Sequence, residues 1–125
     1  MGTPGARSVL IVDDEVSIVE ALSEILTWEG FSVSTAGNGS LALEELARNT
    51  VDVVLMDVMM PVMGGLDAAQ RMNADPRTAH IPVVLMTAGP VPEGFDGSLV
   101  VRKPFELAAL LRVLRRALER RQAAG

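Results

Sequence analysis

Five side chains suited to phosphoryl or metal chemistry fall at the ends of short apolar runs. Asp13 and Asp14 close the run Val9-Leu10-Ile11-Val12, Asp57 closes Val51 to Met56, and Thr87 closes the run from Ile81; Lys103 follows the stretch Ser98 to Arg102. If folding gathers these ends, three carboxylates crowd together and repel one another strongly in a dry site. A hard divalent cation resolves that repulsion, and all-oxygen ligands suit magnesium. A carboxylate beside such an ion can act as a nucleophile toward a phosphoryl group. Phosphoryl transfer needs neutralisation of the equatorial oxygens more than it needs an acid or a base. Magnesium, the Lys103 ammonium and the Thr87 hydroxyl can each supply part of it.

Each residue also has an ordinary role. An Asp-Asp pair after a strand often caps a helix, a lone Asp or Thr at a strand end is often a turn residue, and a lysine is often a surface charge. Their joint placement at one edge favours chemistry. Lys103 carries a further argument. The chain has ten arginines and this single lysine, with Arg102 next to it. A compact ammonium on a flexible stem is not interchangeable with a planar guanidinium.

The elements that must position these residues follow from periodicity. Val9 to Val12 reads as a buried strand. Ile18, Leu22, Ile25 and Leu26 recur at helical spacing, with Asp14 as the expected cap, Glu15 in the first turn and Gly30 as the stop. Phe31 to Ser34 alternates as a second strand, and Asn38-Gly39 reads as a turn. Leu43, Leu46 and Ala47 mark a second helix, closed near Asn49. Val51 to Met56 is a third strand, Met59 to Gly65 a loop, and Leu66 to Asn73 a third helix ended by Asp75-Pro76. Ile81 to Thr87 is a fourth strand and Ser98 to Arg102 a fifth. Leu107, Leu110, Leu111, Leu114 and Leu118 line a last helix.

Between Thr87 and the fifth strand, Gly89 to Gly97 holds five Gly or Pro in nine residues. A three-turn helix needs roughly eleven residues, so a helix there is expected to be absent or cut to one turn. Val91 and Phe95 are its only large apolar residues, which predicts a mobile loop. Strands joined by helices run parallel with helices on both faces. The expected fold class is therefore α/β, one open doubly wound sheet, with ligands beyond the carboxyl ends of its strands.

Composition sets the class. The chain has 125 residues, about half hydrophobic, with a net charge of −5 and no cysteine. That suits one domain with a proper core and excludes disulfides and thiolate metal sites. The acidic balance argues against direct nucleic-acid binding. No apolar run has the length of a membrane span or signal sequence, so the expected location is cytoplasmic. Arg112, Arg115, Arg116, Arg120 and Arg121 crowd the C-terminal end, which reads as a solvated helix face. His80 reads as a surface residue. The methionines at 56, 59, 60, 63, 72 and 86 read as core filling, and Trp28 as packing at the end of the first helix.

The combined pattern resembles the receiver domains of two-component signalling. The matching pieces are Val9 to Glu15, then Val54 to Pro61 with Gly65, then Val84 to Ala88, and Lys103-Pro104-Phe105, covering about Ser8 to Arg121. The resemblance implies a single five-stranded sheet in the flavodoxin-like order 2-1-3-4-5. It implies Asp57 as phosphoacceptor, and Asp13, Asp14, Asp57 and the Met59 carbonyl as magnesium ligands, with Asp14 the more direct of the acidic pair. Thr87 resembles the switch hydroxyl, Ala88 the small residue beside it, and Lys103 the phosphate-pairing lysine, with a cis Lys103-Pro104 bond. Implied partners are a sensor histidine kinase or phosphotransfer protein and a downstream output protein or domain. The resemblance implies a domain over 8–121, a tail over 1–7, and 122–125 as an end or the start of a linker.

Two departures fall on the usual output face. Val100 stands where the family usually has an aromatic three positions before the lysine, and the stretch from Thr87 to Lys103 is short. Two rival classes remain. A degenerate, unphosphorylated binding module of this fold would have lost an acidic residue or the lysine, and none is lost. An aspartyl-phosphate phosphohydrolase would place a second Asp two positions after the nucleophile, where this chain has Met59, which cannot transfer a proton. The expectation is a signalling domain that catalyses only its own phosphorylation and dephosphorylation.

Overall fold

The apolar runs become five parallel strands: β1 Ser8–Val12, β2 Ser32–Ala36, β3 Val53–Asp57, β4 Val83–Thr87 and β5 Val100–Arg102, in the order β2-β1-β3-β4-β5. The helices are α1 Val16–Trp28, α2 Gly39–Arg48, α3 Gly65–Ala74 and α4 Leu107–Ala124. This is a computed structural model that describes residues 6–124, with side chains as far as residue 120. Residues 1–5 of the expected tail over 1–7, and the side chain of Arg121, lie outside the described residues. The sheet order and the doubly wound architecture are as expected. Strand β1 begins one residue earlier than expected, at Ser8, while β2 to β5 begin one or two residues later, because Phe31, Val51, Ile81, Ser98 and Leu99 pack or turn without joining the ladder.

Alternation along each strand builds two cores. Val9, Ile11, Val53, Leu55, Val84, Met86 and Val101 pack against Leu22 and Leu26 of α1 and Leu110, Leu114 and Ala117 of α4. Leu10, Val12, Val54, Met56, Leu85 and Val100 face the other way, against Ala42 and Leu46 of α2 and Ala68 and Met72 of α3. Successive strand side chains point to opposite faces, so a continuous apolar run feeds both layers.

Helix α1 ends in a Schellman arrangement. Gly30 sits at φ +94, its N–H donates to Thr27 O, and Phe31 N–H donates to Leu26 O,. Its start differs from expectation. The N-cap residue is Glu15, no side chain caps the helix in the usual way, and Asp13 Oδ1 accepts the Glu15 amide at 3.0 Å. Asp14 is thereby left exposed and free for another role. Asn38 is a helix cap rather than a turn residue, its side chain accepting from Leu41 N. Trp28 does not pack: it is 86% exposed. It lies two residues beyond Leu26, roughly 200° around the helix, away from the buried stripe.

The segment after β4 contains no α-helix. Its one regular piece is the single 3-10 turn Gly97–Leu99. Phe95 packs partly against the α2/α3 core, and Val91 stays exposed. A cavity of about 460 Å³ lies between α3 and residues 93–99. Val100 is buried and pairs with Leu85 in the sheet, so no ring occupies that position.

Candidate functional site

Register brings the acidic residues together. Val12 pairs with Met56 in the β1/β3 ladder, so the next residues, Asp13 and Asp57, emerge side by side at the carboxyl edge. Asp13 and Asp57 continue the parity of Ile11 and Leu55, as Lys103 continues that of Val101, so all three lean toward the α1/α4 side. Lys103 Nζ lies 2.9 Å from Asp57 Oδ1 and 3.5 Å from Asp13 Oδ2. The second distance is long, which makes that contact mainly Coulombic. One carboxylate oxygen from each of Asp13, Asp14 and Asp57 lies within 4.8 Å of the others.

Burial sets the electrostatics. Asp13 is only 2% exposed, and its Oδ2 is enclosed without a hydrogen-bond partner. Burial pushes the Asp13 carboxyl above its ordinary pKa; the Glu15 amide and Lys103 oppose the shift, while the nearby Asp57 and Asp14 charges add to it,. Lys103 is also partly desolvated, which disfavours its charge. The hydrogen bond and charge of Asp57, with the charge of Asp13, outweigh this and hold its pKa above the ordinary lysine value.

Thr87 continues the parity of Val83 and Leu85, which face the α2/α3 side. Its hydroxyl oxygen accepts the Gly89 amide at 3.0 Å, and its carbonyl accepts Lys103 N at 2.8 Å. The backbone therefore ties β4 directly to the lysine. The Lys103-Pro104 bond is cis, as the resemblance implied.

Two supports of the site escaped the sequence. A Cβ on Gly65 would stand 2.2 Å from the Asp57 carbonyl oxygen, so α3 starts directly against the backbone of Asp57. The spacing Asp57 to Gly65 held the signal, but the contact behind it appears only in three dimensions. Val62 takes φ +68, and Met63 N donates across it to Pro61 O at 2.7 Å. A β-branched residue in the left-handed region is strained, and the strain sits in the loop that follows Asp57.

Other expectations divide. Met56, Met72 and Met86 are core residues, and Met60 and Met63 are half-buried. Met59 is 78% exposed, contrary to the core-filling reading, because it lies beyond the strand on the loop rim. His80 is exposed, as expected. The arginine run is not a uniformly solvated face. Arg116 Nη1 donates to Ser98 O at 3.0 Å, while Arg120 pairs with Asp96 and donates to Ser98 Oγ at 2.7 Å.

Comparison with known proteins gives the same family at each level. The model of the response regulator receiver domain matches residues 9–115. The transcriptional regulatory protein TcrX of Mycobacterium tuberculosis is 37% identical over 119 residues, which are 90% of this chain and 50% of TcrX. The DNA-binding response regulator MtrA of Mycolicibacterium smegmatis is 34% identical over 122 residues, 93% of this chain and 52% of MtrA. The chain thus spans about half the length of these two relatives. Among solved structures, the chemotaxis protein CheY4 of Vibrio cholerae aligns with a TM-score of 0.82 and 32% identity, covering 90% of this chain and 99% of that one. No helix among the described residues is long and apolar enough to cross a membrane. The chain belongs to the receiver domains of two-component response regulators.

Proposed function

We propose that the chain is a phosphorylation switch whose phosphoacceptor is Asp57, with Lys103 as the cation that pairs with the incoming phosphoryl group. The observation that carries this is the convergence on Asp57: Lys103 Nζ at 2.9 Å and two further carboxylates within 4.8 Å. One Asp57 carboxylate oxygen attacks phosphorus, the bond from phosphorus to the donor breaks, and the donor leaves with the bonding pair. The product is an acyl phosphate on Asp57. Lys103 already contacts Asp57, so its charge needs little rearrangement as negative charge accumulates on the phosphoryl oxygens.

The residues present fit a magnesium ion. The enclosed Asp13 Oδ2 makes no hydrogen bond, only the long contact to Lys103, and the Asp14 carboxylate beside it is exposed, so both offer oxygens to a cation. Asp13, Asp14, Asp57 and the Met59 carbonyl would hold it. When bound, the ion supplies positive charge that offsets the carboxylates and the phosphoryl oxygens. Thr87 acts as the switch: its hydroxyl leaves Gly89 for the phosphoryl group, with the exposed Ala88 leaving room, and residues Gly89 to Gly97 reorder in response. The phosphoryl donor is a sensor histidine kinase, a phosphotransfer protein or a small phosphodonor. The reader is a downstream output protein or domain, in a cytoplasmic setting, with the receiver occupying 8–121.

The test is labelling with acetyl phosphate and magnesium, read by intact mass. One base-labile phosphoryl group is expected on the wild type and none on Asp57→Ala. Stoichiometric labelling of Asp57→Ala would overturn the assignment.

A further inference from the structure

We propose that the signal leaves the site through an electrostatic latch between residues 96–98 and helix α4, closed in the unmodified protein and opened by phosphorylation. The inference rests on the reading of Asp57 as phosphoacceptor and names how that site reaches the surface.

Side-chain hydrogen bonds tie the segment after β4 at two places among the described residues. The near tie is Thr87 Oγ1 to Gly89 N. The far tie is a closed ring. Asp96 Oδ1 accepts from Ser98 N at 2.9 Å and Ser98 Oγ at 2.7 Å. Asp96 Oδ2 pairs with Arg120, and Arg120 also donates to Ser98 Oγ at 2.7 Å. Arg116 adds a bond to Ser98 O at 3.0 Å. Between the ties lie Pro90, Pro92 and Gly94, and the backbone bond Phe95 N to Pro92 O. No helix buffers one tie from the other.

By strand parity Thr87 faces the α2/α3 side and Asp57 the α1/α4 side, so a Thr87 hydroxyl that turns to a phosphoryl group on Asp57 leaves its present contact with Gly89. Drawing Thr87 toward Asp57 moves the segment toward the α1/α4 side of the strand ends and costs it the Gly89 tie. The segment then settles on new anchors at the phosphoryl group, and Asp96 is pulled off Arg120. Arg112 and Arg115 make no ion pair among the described residues, so release of Arg116 and Arg120 completes a free cationic stripe on α4. A buried Val100 offers no ring to carry the signal, which leaves these contacts as the polar link between the segment and α4 among the described residues. Coupling is reciprocal: if phosphorylation opens the latch, cutting the latch must favour the phosphorylated state.

The experiment uses the full chain with magnesium and beryllofluoride as phosphoryl mimic, following guanidinium resonances by NMR and mimic occupancy by fluorine NMR. Arg116 and Arg120 are expected to show restrained guanidinium rotation in the free protein and averaged rotation in the mimic-bound protein, with Arg112 unchanged as internal control. Asp96→Asn is expected to bind the mimic about two- to fivefold tighter than wild type, a small factor because exposed ion pairs are weak. Arg116 and Arg120 resonances that stay fixed in the mimic-bound protein, or equal affinity in Asp96→Asn, would overturn the latch. Failure of the wild type to bind the mimic at all overturns the reading of Asp57, and the latch with it.

Discussion

Thr87 Oγ1 accepts the Gly89 amide at 3.0 Å, so this hydroxyl is held by the segment that follows β4 and not by Asp57. The relationship gives the segment a defined resting anchor at the residue that must move. Thr87→Val removes the acceptor and keeps the shape. In the unmodified protein the Gly89 amide should exchange roughly fivefold faster, the equivalent of one lost hydrogen bond of about 1 kcal/mol. With the phosphoryl mimic bound, the amides of Val91 and of residues 93–95 should gain protection in wild type and none in Thr87→Val. Equal protection in both proteins would show that Thr87 does not lead the segment.

Lys103 sits 2.9 Å from Asp57, with its Nζ also drawn toward Asp13. A guanidinium is longer, planar and spreads its charge, so it cannot occupy the same point between two carboxylates. Lys103→Arg should fold normally and accept phosphate about 10- to 100-fold more slowly, somewhat less than the loss from deleting a transition-state donor outright. Rates of labelling by acetyl phosphate, followed by intact mass, provide the check. A wild-type rate would mean that position 103 supplies charge alone.

Gly65 meets the Asp57 carbonyl so closely that even a methyl group, at 2.2 Å, demands backbone movement. Gly65→Ala should cost about 1–3 kcal/mol of stability as an overpacking change. It should also displace the acceptor aspartate, lowering the phosphorylation rate at temperatures where the variant remains folded. Urea denaturation and labelling of the same sample separate the two effects. A stable variant that labels normally would show that the start of α3 adjusts without disturbing Asp57.

The parts of this protein that could be read from sequence are those set by local pattern. Asp13, Asp57, Thr87 and Lys103 announce themselves because a parallel sheet delivers its strand ends to one edge, and the apolar runs mark those ends. The absence of a helix after β4 was legible because Gly and Pro are locally incompatible with one. What remained hidden depends on contacts across the chain. The reach of Arg116 and Arg120 to residues 96–98 spans 18 to 24 residues and has no periodic trace. Gly65 looked like a loop residue until the backbone of Asp57 was placed against it. Val62 carries a side chain that argues against its own φ, so composition points the wrong way. Trp28 was misread because a large aromatic near a helix end suggests burial, whereas the stripe through Leu22 and Leu26 turns it outward.

Asp96 gives the latch a pH dependence of definite sign. The Ser98 hydroxyl, the Arg120 guanidinium and the Ser98 amide hold its carboxyl down at about 2, against 3.8 for an ordinary aspartate. A folded-state pKa below the unfolded one means that the unfolded chain binds more protons between those values, so stability rises with pH across that window. The contribution of Asp96 is complete above about pH 4 and is lost as pH falls toward 2. Asp96→Asn cannot titrate, so its deficit relative to wild type should be constant from pH 7 to about pH 4 and shrink below that. Because the pair is exposed, the deficit should also shrink in 1 M salt, where charges are screened within about 3 Å. Urea midpoints of the two proteins across pH and salt measure this. A deficit that persists unchanged at low pH and high salt would mean that Asp96 acts through its turn-forming hydrogen bonds to Ser98 rather than through its charge, and that the arginines contribute nothing to holding the segment.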